Sequence, residues 1–161
     1  MGPLCNPARA KRQLIGVYDK GLVEIMARAL KELGSERALV VHGSDGLDEI
    51  SISDETHAAE LSDGNVKTYK IAPEDFGVRR AALSVLQCSS KDECKTLAEK
   101  ALKGEPGAAG DIICLNAGAA LYVAGKAASI KEGVELARKI IKGGAAYAKL
   151  KEIVKVLTSI R

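Results

Sequence analysis

The sequence predicts an α/β fold: a partial, mainly parallel sheet with flanking helices and a small antiparallel excursion. Three observations predict it. Two apolar runs, residues 13–18 and 37–42, flank a stretch in which Leu22, Ile25, Met26, Ala29, Leu30 and Leu33 recur at helical spacing. From residue 49 to 71 the pattern turns to period two, with a hairpin turn inside it. From residue 79 onward the spacing is helical almost to the end.

Each element follows in order. Residues 1–12 are turn-rich and without periodicity, and read as a hinge or linker. The strand–helix–strand succession over 13–42 is the signature of a parallel pair with a right-handed crossover. Gly34 stands where that helix would be capped. Residues 49–53, 56–61 and 66–71 alternate as strands, and Ser62-Asp63-Gly64-Asn65 turns the last two into a hairpin. Pro73-Glu74-Asp75-Phe76-Gly77 breaks the pattern. One helix is expected over 92–102, ended by Gly104-Glu105-Pro106-Gly107. Residues 111–125 are apolar nearly all round, as in a buried helix. Ser129, with Glu132 three residues on, predicts a helix start. Helix then continues to 148, with Gly143-Gly144 as a break, and a last amphipathic helix over 149–160 carries Ile153, Val156, Leu157 and Ile160 on one stripe.

Composition narrows the function. With one Phe, four Tyr and no Trp, the chain lacks the aromatic platforms that stack single-stranded nucleic acid. A net charge of +3 does not point to nucleic acid either. The nine Lys and Arg against three Glu over 126–161 read as a solvated helical face, and Lys126 as one of its surface groups. No apolar run reaches the roughly 20 residues of a membrane span. Cys5, Cys88, Cys94 and Cys114 form no C-x-x-C pair, and read as reduced thiols of a cytoplasmic protein, with Cys114 a small core residue. No dinucleotide fingerprint, P-loop or nucleophile elbow is present. Gly107-Ala108-Ala109-Gly110, at a predicted helix start, reads as a plain turn rather than an anion cradle.

The stretch Gly43-Ser44-Asp45-Gly46-Leu47-Asp48-Glu49 carries the chemistry. Three carboxylates and two glycines cluster just past a strand end, where open α/β sheets bind ligands. Mg²⁺ takes one or two carboxylates together with phosphate oxygens and water. Asp48 and Glu49 are the candidate pair. Adjacent residues of a regular strand face opposite ways, so the pair can share an ion only on an irregular segment, which Gly43 and Gly46 favour. Asp45 reads as the cap of an Asx-turn. His42 reads as a strand-end histidine bonded to backbone rather than as a general base, and His57 as an exposed strand residue.

Six segments recur in order as in one known family. They are Gly2-Pro3-Leu4-Cys5-Asn6-Pro7, Ile15 to Tyr18, Val40 to Gly43, Asp45 to Glu49, Pro73 to Gly77, and Leu115 to Gly125. Over essentially its whole length the chain resembles the C-terminal half of anthranilate phosphoribosyltransferase. The resemblance implies a Mg²⁺-dependent transfer of phosphoribose from phosphoribosyl pyrophosphate to the amine of anthranilate, a step of tryptophan biosynthesis. It implies that Asp48 and Glu49 hold metal bound to the pyrophosphate, with no acid-base role. It implies that Gly2 and Pro3 form a hinge beside the anthranilate tunnel. The family's Gly-Thr-Gly-Gly-Asp phosphate loop, its Asn-Ser-Thr segment, the following Lys loop, its anthranilate-contacting Arg and its N-terminal helical domain have no counterpart in these 161 residues. Cys5 stands where Thr is common. Met1 stands where the family has Leu, as a truncation there would leave it.

The expectation is therefore residues 1–161 as the C-terminal part of a phosphoribosyltransferase domain. It would be a natural truncation, an expressed fragment or half of a split enzyme whose N-terminal half is another chain, and inactive alone. Exposed sheet edges and apolar helix faces predict self-association. Two other readings stay open: a non-catalytic folding or interaction module, and a related phosphoribosyltransferase or nucleoside phosphorylase with another acceptor.

Overall fold

The computed structural model describes residues 2–159. Four strands form one sheet in the order β1-β2-β3-β4: β1 Arg12–Gly16, β2 Arg37–Gly43, β3 Thr56–Ser62 and β4 Asn65–Ile71. Five helices accompany them: α1 Leu22–Glu32, α2 Lys91–Leu102, α3 Ala108–Val123, α4 Ile130–Lys142 and α5 Ala145–Ser159. Residues Gly2–Cys5, Pro73–Phe76 and Leu83–Leu86 form single 3-10 turns.

The expected strand–helix–strand unit is present, and β1 pairs with β2 in parallel. Parallel pairing stops there, because no helical crossover follows β2. Short connections return the chain, so β2 with β3 and β3 with β4 are antiparallel. Asp63 at φ 50 and Gly64 at φ 72 give the β3–β4 hairpin the two left-handed residues of a type I′ turn.

The sheet is covered on both faces, an α/β layer arrangement. Alternation along β2 divides the core: Ala38 and Val40 face α1 together with Ile15, Val17, Ala59 and Leu61. Leu39 and Val41 face the other way, into a cluster with Leu115 and Ala119 of α3 and Val134 of α4. On α1 the buried residues Val23, Ala27 and Leu30 fall at intervals of four and three, one stripe of the helix. Leu39 is fully buried, and its side chain alone contributes about 1.5–3 kcal/mol of burial.

The close contact of α3 with α4 rests on two glycines. A Cβ on Gly133 would lie 2.1 Å from the Gly118 carbonyl oxygen, and one on Gly118 would lie 2.5 Å from the Val134 nitrogen. Ser129 caps α4 by accepting from the Glu132 N–H at 3.2 Å, while Glu132 accepts from Ala128 rather than from Ser129. Ser90 and Glu93 cap α2 in the same manner.

Four expectations change. Residues 49–53 are not a strand, because their polar groups bond to α3 and to the Asp45 side chain instead of a neighbouring strand. Residues 79–82 and 87–90 are not helical: Ala81 N–H donates to the Ile52 carbonyl at 3.0 Å, holding the segment against the loop. The last helix starts at Ala145, directly after Gly143-Gly144, rather than at 149. The helix after Pro106 starts at Ala108 with Gly107 as N-cap, so that turn opens α3. Met1, Ile160 and Arg161 lie outside the described residues. Among the described residues no helix is long and apolar enough to cross a membrane.

Candidate functional site

The loop between β2 and β3 leaves the C-terminal end of β2 and folds across the end of β1. Gly16 makes the crossing possible. A Cβ there would sit 1.5 Å from the Asp48 carbonyl oxygen and 2.4 Å from its carbonyl carbon. The backbone of Asp48 therefore rests directly on β1. An isolated glycine in a strand marks this kind of approach, which is the signal for Gly16 in the sequence.

Asp45 organises the loop from within. Its Oδ1 accepts from the Leu47 N–H at 3.2 Å, the Asx-turn expected of it. Its Oδ2 accepts from the hydroxyls of Ser51 and Ser53. Gly43 N–H closes the turn on the Leu47 carbonyl at 2.8 Å, and Ser44 N–H donates to the Glu55 carbonyl at 2.8 Å. Burial acts to raise the Asp45 pKa, but the two serine hydroxyls and the Leu47 N–H outweigh it, so the carboxyl is held below its ordinary value.

From the other side α3 clamps the loop through Asn116. Its Oδ1 accepts from Ile50 N–H at 2.9 Å, and its Nδ2 donates to the Ile50 carbonyl at 2.9 Å and to the Ile112 carbonyl at 3.1 Å. One side chain thus replaces a strand neighbour on both backbone groups of Ile50. An amide in the middle of an otherwise apolar helix signals a dedicated partner of this kind.

Asp48 and Glu49 are the residues this scaffold presents. Neither carboxylate makes a hydrogen bond or ion pair within the described residues. Asp48 is exposed and Glu49 half-buried. Burial, then the Asp48 and Asp45 charges, push the Glu49 carboxyl above its ordinary pKa. The irregular backbone over residues 48–54 removes the alternation that would set the pair on opposite faces. Among the described residues no three His, Cys, Asp or Glu side chains gather as a metal-binding group. Two carboxylates completed by phosphate oxygens and water is the arrangement Mg²⁺ takes, so the pair fits the ion only as part of a metal–phosphate unit.

Other candidates fall into place. His42 is half-buried and its Nδ1 lies 2.8 Å from the Val17 carbonyl, so the ring donates there and is held by backbone, as expected. Gly2 and Pro3 open the 3-10 turn Gly2–Cys5. The second half of that turn and the residues after it gather at the opposite end of β1 from the acidic loop, where Leu4, Cys5, Lys11, Leu33 and Gly34 line a cavity of about 510 Å³. The structure does not bring the Gly2-Pro3 segment to Asp48 and Glu49. Cys114 is buried in the core, and Cys5, Cys88 and Cys94 are free thiols, as is Cys114.

A sheet with helices on both faces and a carboxylate loop at its strand ends is the arrangement of an α/β ligand-binding domain. Residues 1–147 match the family described as "Glycosyl transferase family, a/b domain". The chain is 52% identical over 155 residues to anthranilate phosphoribosyltransferase of Nitrosomonas eutropha, covering 96% of this chain and 46% of that one. With the same enzyme of Azorhizobium caulinodans it shares 48% over 160 residues, again 46% of the relative. Among solved structures, anthranilate phosphoribosyltransferase from Thermus thermophilus superposes with a TM-score of 0.87 at 42% identity, covering 98% of this chain and 46% of that chain. The enzyme from Saccharomyces cerevisiae in complex with PRPP and Mg does so at 0.81 and 28% identity, with the same coverage. The chain belongs to this glycosyl transferase family. It spans a little under half the length of the relatives it matches.

Proposed function

We propose that this chain supplies the metal-facing half of a phosphoribosyl-transfer site. In that site Asp48 and Glu49 hold Mg²⁺ jointly with the pyrophosphate of phosphoribosyl pyrophosphate, and the amine of anthranilate receives the phosphoribose, in tryptophan biosynthesis. The observation that carries this reading is the pair itself: two adjacent carboxylates without protein partners among the described residues, on a loop fastened by Gly16, Asp45 and Asn116. Similarity to an enzyme solved with PRPP and Mg supports it.

Such a site needs charge matched to the departing pyrophosphate, and Mg²⁺ supplies this as a Lewis acid. The role of this chain is positional. Asp45 and Asn116 set the loop before substrate arrives, which limits the reorganisation required at the moment of reaction. Glu49, half-buried beside two other carboxylates, gains most from a cation. Gly2 and Pro3 are assigned to the anthranilate side, on a segment that has to close toward the loop or meet it through the rest of the domain.

Calorimetric titration with phosphoribosyl pyrophosphate, with and without Mg²⁺, tests the reading. Mg²⁺-dependent heat should appear in the parent chain and vanish in Asp48→Asn/Glu49→Gln. Heat of equal size in the folded double variant removes the carboxylates from the site. Addition of the N-terminal half as a separate chain should restore transfer to anthranilate.

A further inference from the structure

A row of basic side chains crosses the sheet on the face that packs against α1. His42 stands directly opposite His57, and His57 directly opposite Lys70. Alternation from Val40, Ala59 and Val66, which all belong to the α1-side cluster, puts His42, His57, Thr68 and Lys70 on that face. Lys20, from the turn between β1 and α1, lines the same pocket of about 330 Å³ as His57, Thr68 and Lys70.

Groups that can carry positive charge are thus set side by side across three strands, where like charges would weaken the sheet. The carboxylates nearby neutralise it only at Lys70. Glu24 lines the pocket but is taken by Arg28, whose Nε donates to it at 2.8 Å. Glu55 pairs with Lys70 alone, at 2.6 Å. The Lys20 ammonium and the His57 ring make no hydrogen bond or ion pair within the described residues. Burial, then Lys20, Lys70 and His42, lower the His57 pKa, while Glu55 acts the other way. These neighbours disfavour the charged form of His57, and a bound anion would offset their effect.

We propose that this pocket binds a phosphate-bearing small molecule, held by Lys20 and Lys70 with the His57 ring as a third donor and Thr68 at its wall. The pocket has the opposite charge to the acidic loop and shares no residue with it, so the inference does not rest on the metal site.

The test is a titration of the 161-residue chain with sulfate, inorganic phosphate, pyrophosphate and ribose 5-phosphate, followed by NMR of the histidine rings. Chloride at matched ionic strength is the reference. Sulfate stays dianionic over the range used, so its pH dependence reports the protein. Sulfate affinity should rise by about three- to five-fold from about pH 8 to about pH 5.5, the scale of one exposed charge interaction. His57→Gln should abolish that dependence while leaving binding at neutral pH. Lys20→Gln and Lys70→Gln should each weaken binding by at least a similar factor. Tighter binding of ribose 5-phosphate than of inorganic phosphate would identify a sugar phosphate as the ligand, and the reverse order a free phosphate. Asp48→Asn/Glu49→Gln should bind sulfate as the parent does. Ring shifts no larger than chloride produces, or loss of binding in no lysine variant, would overturn the proposal.

Discussion

Gly16→Ala is the sharpest test of how the acidic loop is held. The added Cβ would start 1.5 Å from the Asp48 carbonyl oxygen, whereas real Cβ contacts essentially never fall under 3.0 Å. The backbone of Asp48 or of β1 must then shift by the difference, 3.0 − 1.5 = 1.5 Å, at the least. β1 is fixed by its parallel ladder to β2, so the loop is what gives way. Two hydrogen bonds flank Asp48, Gly43 N–H to the Leu47 carbonyl at 2.8 Å and Ile50 N–H to Asn116 at 2.9 Å. A shift of that size strains both. Overpacking of this kind costs about 1–3 kcal/mol, and each bond about 1 kcal/mol more. Gly16→Ala should therefore lower stability by about 3–5 kcal/mol in urea unfolding and abolish Mg²⁺-dependent binding of phosphoribosyl pyrophosphate. Gly46→Ala is the control: its Cβ meets nothing within 4 Å, and only its φ of +94 is strained, a cost of about 1 kcal/mol. A Gly16→Ala chain as stable as the parent, with loop amide signals unmoved, refutes the reasoning.

Other outcomes follow from the same contacts. Glu49 has a raised pKa in the fold, so folding disfavours its charged form relative to the unfolded chain. The stability it lends is full below its ordinary value of 4.5 and lost as pH rises through the higher folded value. Without Mg²⁺, Glu49→Gln should accordingly raise stability at pH 7 by up to about 0.5 kcal/mol, the scale of partly exposed charges. A drop in its melting temperature would contradict the assigned sign. Gly133→Ala puts a methyl 2.1 Å from the Gly118 carbonyl and should cost about 3 kcal/mol by forcing α3 and α4 apart; an unchanged urea midpoint would count against that contact. Ile153, Val154, Val156 and Leu157 on α5 are 49–62% exposed. Sedimentation velocity should therefore show concentration-dependent self-association, lost in Ile153→Lys/Leu157→Lys. A monomer at every concentration would rule it out.

Local signals make much of this fold legible. The helical stripe of α1 with Gly34 after it, the Asp63-Gly64 turn and the Ser129 cap each state their structure within a few residues. The acidic loop is legible as a location, because an apolar run ending in glycines and carboxylates marks a strand end. Its mounting is not. Ile50 and Ile52 alternate with serines as a strand does, but Ser51 is buried too, because its hydroxyl serves Asp45 and its N–H donates to Thr56 Oγ1 at 3.0 Å. Side-chain acceptors take the place of a strand neighbour, and period-two reasoning has no means of foreseeing that. The Asn116 clamp joins positions 66 residues apart, beyond any local pattern. Residues 79–90 read as helix because their composition allows it. A backbone bond from Ala81 to Ile52 and the pairing of Arg80 with Asp54 and Glu74 decide otherwise.

The Asn116 clamp also fixes where mechanical strain would be felt. The helix that carries it meets its neighbour two residues further on, at Gly118, with no side chain to cushion the contact. The acidic loop is thereby mounted on a helix pair as well as on its strands. A sideways slide of α4, whether from a substitution or from a docked chain, would be passed through α3 as a rigid rod to Ile50 and would re-aim Glu49, the very next residue. Tuning of the carboxylate pair can thus originate at a helix crossing that never touches the ligand.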